Sequence, residues 1–258
     1  VGIGESALYA NTTGSNNTSV GRFALTANTT ASNNTAVGKS SMVANTIGAS
    51  NVAVGTDTMG SNTEGTSNTA VGLSALYANT SGDNNIAIGH DSLRYCTTSS
   101  DNTAVGRLSL YKLTTGTPNE AFGYRAGHSI TTGTGNCVFG SYAMDNSTAT
   151  GYANTVIGHG AGRAVAAGIR HTLVGSGAGA TLSGGTSNIL IGYHPAASST
   201  SGNGQIVMGD QVTGVGNSNF TFGEQSTDSN IAFGATSITA PSDIRLKEDI
   251  QDEEVGLN

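Results

Sequence analysis

The sequence predicts an all-β protein, a parallel β-solenoid built from 17-residue rungs. Glycine recurs at a fixed spacing, and each position relative to that glycine has the same type of residue from one repeat to the next. The composition also does not suit a compact core. The 258 residues include 38 glycines and no Trp, and only 10% of them are charged, whereas soluble domains average about 25% charged residues. A solenoid avoids the need for a large core, because each rung buries small residues against its neighbours.

The repeat is anchored by the glycine that ends each NTAVG-like pentapeptide. After nine anchors at 17-residue steps comes one 18-residue step, and the 17-residue spacing then resumes. Shorter steps of 14 and 11 residues lead to Gly223 and Gly234, which we also assign as rung anchors. We expect the anchors to be structurally required; the regular ones are Gly4, Gly21, Gly38, Gly55, Gly72, Gly89, Gly106, Gly123, Gly140, Gly158, Gly175, Gly192 and Gly209.

The pentapeptide indicates a short strand closed by glycine. The residue directly before each anchor is apolar, and we expect its side chain to point into the core. The residue four before the anchor is almost always Asn. Stacked strands lie about 4.8 Å apart, so these amides are predicted to form a buried ladder. The clearest part of this column is Asn34, Asn51, Asn68 and Asn85.

The second half of the rung is also patterned. Four residues past the anchor stands Leu or Met, and seven past it stands a second Asn column that ends at Cys96. Glycine is frequent ten past the anchor, as at Gly48 and Gly65, where we expect a turn with positive φ. Farther along, the Leu/Met position becomes glycine while the former Asn position becomes apolar, which indicates a gradual change in cross-section. Charges concentrate one and two past the anchor, at a corner that is predicted to face water.

Runs such as NTAVG and ALYANTSGDNNIAIG resemble the heads of trimeric autotransporter adhesins, which carry SVAIG-type repeats. They also resemble repeats in the tail fibres of bacteriophages. The adhesin repeat is usually shorter than 17 residues, so the rung departs from it. The resemblance implies a left-handed parallel β-roll in which three chains pack side by side as a homotrimer.

The composition changes abruptly after Gly234, and the segment PSDIRLKEDIQDEEVGLN is rich in charge. It resembles the start of the intramolecular chaperone domain of phage tailspikes, tail fibres and endosialidases, whose Ser-Asp-x-Arg-x-Lys pattern is matched by Ser242, Asp243, Arg245 and Lys247. In that family the chain cuts itself just before the Ser, with the Lys as its partner. The resemblance implies a repeat body over 1–239, then a linker and the start of a chaperone over 240–258. A polar linker leading into a helix is the alternative.

Several classes of function are disfavoured by the sequence. There is no basic stripe for nucleic acid and no apolar run near the ~18 residues of a membrane span. We expect no cofactor and no metal, and we interpret His90 and His159 as solvated corner residues. Cys96 and Cys137 lie more than two rungs apart, beyond the ~7 Å reach of a disulfide, so we expect two free, buried thiols.

The expected function is that of a structural and receptor-binding fibre, not of a turnover enzyme. The resemblance points to a homotrimeric phage tail fibre of the virion that attaches to a glycan or an outer-membrane component of the host cell. The alternative is an ice-binding or other surface-adhesion solenoid of a bacterium. Thr recurs three before the anchor, as an ice-binding face requires, but Val52, Ile86, Glu120 and Ile189 interrupt that column.

Overall fold

The computed structural model describes residues 1–145, 148–225 and 228–235. Fifteen short strands form one sheet in sequential order, and the described residues include no helix. The strands are β1 (Gly2–Ile3), β2 (Thr18–Val20), β3 (Thr35–Val37), β4 (Val52–Val54), β5 (Thr69–Val71), β6 (Ile86–Ile88), β7 (Thr103–Val105), β8 (Asn119–Phe122), β9 (Asn136–Phe139), β10 (Thr155–Ile157), β11 (Thr172–Val174), β12 (Ile189–Ile191), β13 (Ile206–Asp210), β14 (Asn219–Glu224) and β15 (Ser229–Ala232).

Neighbouring strands from β1 to β14 are parallel. In most pairs each residue lies opposite its equivalent 17 positions along the chain, as Ala53 lies opposite Ala70. The turns between strands are also bonded from rung to rung, for example through Thr46 N–H and Thr63 C=O at 3.1 Å. The predicted parallel β-solenoid with 17-residue rungs is therefore confirmed.

In β2 to β14 the residue two before the anchor points inward. Ala53 and Ala70 are fully buried, whereas Val71 is half-buried and Ile88 is 40% exposed. Our expectation that the residue directly before the anchor points into the core is wrong. Side chains alternate across a strand, so only one side of the triplet faces inward. The inward residue is Ala in β3 to β8 and Val or Leu in β9 to β13, and the residue directly before the anchor lies on the outer side.

The core is completed by the Leu or Met four past the anchor. Leu25, Met42 and Leu76 are fully buried and adopt left-handed backbone with φ of 49 to 51°. This conformation costs an L-residue about 1–2 kcal/mol, which glycine avoids. At Gly127 the same position has φ of 61°, and Ile130, three residues later, lies beside the space that a side chain would occupy. Apolar bulk thus moves to the former Asn position, as the change in cross-section predicted.

Two sets of glycines are required for different reasons. The anchors Gly38, Gly55, Gly72 and Gly89 have φ of 131 to 137°, and a Cβ on each would lie 2.3 to 2.7 Å from the carbonyl oxygen of the next anchor. The glycines ten past the anchor do not have the positive φ that we expected at Gly14, Gly48, Gly65, Gly82 and Gly116, although Gly185 at the same position has a φ of 82°. A Cβ on Gly48 would instead lie 2.4 Å from the Gly65 carbonyl oxygen, so close approach between rungs is the cause.

The stack ends differently from the prediction. β14 still pairs in parallel with β13 across the 14-residue step, but β15 runs antiparallel to β14, with Thr221 opposite Asn230. The assignment of Gly234 as a rung anchor is therefore wrong. Eleven residues suit a hairpin, whereas parallel strands need a longer crossover. Residues 236–258, which contain the predicted end of the body, Ser242 and Lys247, lie outside the described residues.

Candidate functional site

The Asn residues four before the anchors form one column inside the stack. Asn34, Asn51, Asn68 and Asn85 are fully buried. Asn68 Nδ2 donates to Asn51 Oδ1 at 3.2 Å, and the Asn85 backbone N–H donates to Asn68 Oδ1 at 2.9 Å. Asn68 Nδ2 also donates to a backbone carbonyl of the following rung at 2.8 Å. The amides bond rung to rung and are closed to any ligand.

A histidine continues this column in a later rung. The His171 backbone N–H donates to Asn154 Oδ1 at 2.9 Å, as an Asn in that position would. His171 Nε2 lies 3.2 Å from the Gly184 carbonyl, which only accepts, so this nitrogen carries the proton. Nδ1 then accepts the Asn188 backbone N–H at 3.2 Å. Burial lowers the pKa of His171, and the neutral imidazole replaces an amide.

The first accessible surface is the outer sheet face, formed by the outward side chains three and one before each anchor in strands β2 to β13. One column is mainly Thr, Val and Ile, and the other is Val, Ile, Phe and Met. Ile86 and Ile88 are each 40% exposed, and Phe139 is 56% exposed. In these twelve strands Glu120 is the one charged outward side chain of the two columns.

A shallow depression of about 140 Å³ interrupts this face at Glu120 and Cys137. Cys137 is half-buried, so the expectation of a buried thiol is wrong there, whereas Cys96 is buried; both are free. Partial burial and then the neighbouring Glu120 carboxylate raise the pKa of the Cys137 thiol. The Cys137 side chain points outward because this residue lies three before the anchor Gly140.

The second accessible surface is the aromatic corner, a ribbon of rings and guanidinium groups just after the anchors. The Arg94 guanidinium lies 5.5 Å from the centre of the Tyr77 ring. Farther along, the rings of Tyr111 and His128 stack at 5.1 Å with an interplanar angle of 7°. The corner consists of Tyr77, Arg94, Tyr95, Arg107, Tyr111, Tyr124, Arg125, Tyr142 and His159, together with the buried His128, whose ring packs against Tyr111.

Carboxylates hold two of these guanidinium groups. Asp91 pairs with Arg94, and its hydrogen bond raises the pKa of that guanidinium. The Arg125 Nε lies 2.9 Å from Oδ1 of the buried Asp145. Burial, and then the nearby Arg125, lower the pKa of His128, which packs against the same carboxylate. Rings and cations in fixed positions suit the stacking and hydrogen bonding of a ligand that has flat apolar faces and many oxygens.

The residues predicted for catalysis, Ser242 and Lys247, lie outside the described ranges. His90 and His159 are exposed, and each directly follows an anchor glycine. No group of three or more metal-ligating side chains occurs among the described residues. Sequence analysis missed the aromatic corner, although Tyr77, Arg94, Tyr111 and His128 recur five past successive anchors.

No helix in the described part of the chain is long and apolar enough to cross a membrane. No family model, curated protein or solved structure matches this chain. The outer sheet face and the aromatic corner are the two accessible surfaces with distinct chemistry that the described residues present.

Proposed function

We propose that this chain is the shaft of a homotrimeric attachment fibre, which self-associates through the outer sheet face and binds a cell-surface glycan or outer-membrane component through the aromatic corner. The observation that carries the proposal is the pairing of two accessible surfaces with opposite chemistry on one continuous stack. One is apolar and almost free of charge over twelve strands, and the other concentrates rings and cations.

The outer sheet face suits a second and third copy of the same chain. Twelve strands about 4.8 Å apart and about 10 Å wide give a face of roughly 500 Å². Stable complexes bury about 800 Å² per partner, so in this proposal the strands form the centre of each contact and the flanking turns supply the remaining area. Another copy presents the same side chains at the same axial spacing, and the near absence of charge removes repulsion between copies.

The aromatic corner suits a glycan or another receptor rich in oxygens. Tyr and Arg are enriched among the residues that dominate binding energies. Tyr77, Arg94 and Tyr111 are already held by ring and cation contacts, so binding would cost little side-chain entropy. Repetition of the corner over several rungs, and over three chains, would add avidity.

In this proposal the fibre belongs to a phage tail, and the segment from Ser242 begins a chaperone that is cut off after assembly. Identical rungs can pair one step out of line with little penalty, so a module that trimerises first would align the three chains. Removal of that module by self-cleavage with Ser242 and Lys247 would make unfolding hard to reverse. A bacterial surface adhesin would use the same two surfaces.

Ice binding is the second candidate, because Thr18, Thr35 and Thr69 lie on the outward side of the sheet, where water could order against them. Val52, Ile86 and Glu120 interrupt the Thr column, and the parallel column carries aliphatic and aromatic side chains. An assay of ice recrystallisation separates the candidates: the fibre proposal expects no inhibition by the chain, and strong inhibition would favour ice binding.

The receptor proposal is tested by binding fluorescently labelled chain to candidate host cells. We expect the double variant Tyr95→Ala and Tyr111→Ala to reduce cell binding by about tenfold or more. Tyr9→Ala is the matched control, because Tyr9 also stands five past an anchor and is exposed, but lies outside the corner. Unchanged binding by the double variant, with the fold intact by circular dichroism, would contradict this role of the corner.

A further inference from the structure

A cavity opens where the aromatic corner ends. In earlier rungs the position two past the anchor carries a side chain, such as Arg125 or Tyr142, but in two consecutive rungs it is Gly160 and Gly177. The cavity measures about 190 Å³ and is lined by His159, Gly160, Arg163, Ser176, Gly177, Ala180 and His194.

The two glycines form the floor of this cavity. A Cβ on Gly160 would meet no atom within 4 Å, so the space beside it is open. A Cβ on Gly177 would lie 2.3 Å from His194 Nδ1, which places the His194 ring over that glycine as one wall. His159 forms another wall, and its ring packs edge-on against Tyr142 at 5.9 Å. The Tyr193 ring packs against His194 at 4.4 Å.

The lining is cationic and has no carboxylate. No ion pair joins Arg163 to another residue in the described ranges, whereas Arg94 and Arg125 of the corner are each paired with a carboxylate. Asp145 occupies the position equivalent to Arg163 in the preceding rung, and it contacts Arg125 and His128. The positive charge of Arg163 therefore remains available to a ligand, and Ser176 and the two imidazoles add groups that can donate hydrogen bonds.

We propose that this cavity binds an anionic oxygen group carried by a surface glycan, either the carboxylate of a sugar acid or a phosphate ester. The inference deepens the proposed function and rests on it, because it names the chemistry of the receptor at one end of the aromatic corner. A guanidinium presents paired N–H donors that match two oxygens of either group. The neighbouring rings of Tyr142 and Tyr193 give a sugar ring flat surfaces on which to stack.

The test measures binding of three probes to the full chain: an oligogalacturonate, a neutral oligogalactan of the same length, and galactose 6-phosphate. We expect at least one acidic probe to bind and to weaken as salt rises, and the neutral oligomer to bind at least about tenfold more weakly. The stronger acidic probe identifies carboxylate or phosphate as the source of the charge.

Two variants locate the site, and one serves as a control. Arg163→Gln removes the charge, and Gly160→Asn places a side chain in the cavity with a residue that tolerates positive φ. Each is expected to weaken acidic-probe binding by about tenfold or more. Arg170→Gln removes an exposed cation outside the cavity and is expected to leave binding unchanged.

Equal binding of acidic and neutral probes, no binding by either acidic probe, or unchanged binding in Arg163→Gln would overturn the inference. These results are separable from failure of the proposed function. If neither acidic probe binds but cell attachment still depends on Tyr95 and Tyr111, the cavity assignment alone is rejected. Acidic-probe binding without any cell attachment would reject the attachment role and leave the cavity assignment standing.

Discussion

The buried amide column predicts that Asn68→Leu destabilises the fold although the two side chains have similar volumes. The substitution removes both bonds donated by Asn68 Nδ2 and both bonds accepted by its Oδ1. Gly82 C=O keeps its bond from Asn79 Nδ2 at 3.0 Å, and Asn85 Nδ2 keeps its bond to a backbone carbonyl at 2.9 Å. The Asn85 backbone N–H, however, loses its acceptor inside the stack.

The magnitude follows from this count. One buried N–H without a partner costs about 1–3 kcal/mol, and the weakened bonds around it add about 1 kcal/mol. We therefore expect the free energy of unfolding to fall by about 2–4 kcal/mol in urea denaturation followed by circular dichroism. Hydrogen exchange at the Asn85 amide should accelerate as well, because a repeat protein can open locally.

Asn84→Gly is the matched control for this experiment. Asn84 is exposed, has a φ of 56° and bonds an Asp101 side-chain oxygen at 3.2 Å, so glycine keeps its backbone conformation without strain. We expect this change to alter the unfolding free energy by about 0.5 kcal/mol or less. If Asn68→Leu were no more destabilising than Asn84→Gly, the amide column would not stabilise the stack and the reasoning would be refuted.

Three further predictions concern the core, the buried histidine and the C-terminal segment. Ala70→Asp should lower stability by several kcal/mol, because it buries an unpaired charge, whereas Val71→Asp should leave the folded chain nearly as stable but block its self-association. Below about pH 6.5 stability should fall by up to about 1.4 kcal/mol per pH unit through His171, and His171→Asn should remove this contribution. In a chain extended past residue 258, a cut should appear directly before Ser242, and Ser242→Ala or Lys247→Ala should prevent it while leaving a trimer.

The sign of the pH prediction follows from the lowered pKa of His171. The folded state favours the neutral ring, so its stabilisation is complete above the unfolded pKa and is lost as pH falls towards the folded pKa. His128 has a lowered pKa as well, so some pH dependence should persist in His171→Asn and disappear in the double variant with His128→Gln. Identical pH dependence of stability in the wild type and His171→Asn from about pH 5 to about pH 7, the range in which an unfolded histidine titrates, would contradict the preference of the folded state for a neutral His171.

The other predictions have equally direct checks. Similar melting temperatures for Ala70→Asp and Val71→Asp would reject the inward and outward assignments within β5. An extended wild-type chain that never yields the shorter fragment on a gel would remove self-cleavage from the proposal. The solenoid would be unaffected by that result, because its rungs are held by contacts over residues 1–225.

The period of the repeat was predictable from sequence because stacked rungs need equivalent residues at equivalent places. The faces were harder to assign, since Ala70 and Val71 are both apolar. Residue size does not distinguish the two faces either, because Leu173 is enclosed while the smaller Val174 beside it is only half-buried. Gly48 illustrates a second limit: glycine serves positive φ and close approach equally well, and sequence spacing does not separate them. A second Thr column, eight residues past the anchors, was overlooked, although Thr63 Oγ1 donates to the Thr80 carbonyl at 3.1 Å and its neighbours repeat the bond.

The aromatic corner was missed for a different reason. Four of its residues share the position five past the anchor, but they differ in chemistry, and the others stand at several further positions, so no column of one residue type reveals the corner. Tyr124 and Tyr142 meet edge-on at 5.2 Å only because stacking places successive turns side by side. The cavity beyond them exists because Gly160 and Gly177 have no side chains. In the sequence these two glycines are visible only as substitutions at one position of the repeat, and a substitution does not reveal a cavity.

The molecular mass in solution tests the central claim most directly. Sedimentation equilibrium of the purified chain should give three times 25.7 kDa, and Val71→Asp should shift the mass towards that of one chain while circular dichroism still shows β structure. A wild-type mass of 25.7 kDa at every concentration measured would contradict self-association through the outer sheet face and would favour a solenoid that acts alone, as in ice binding.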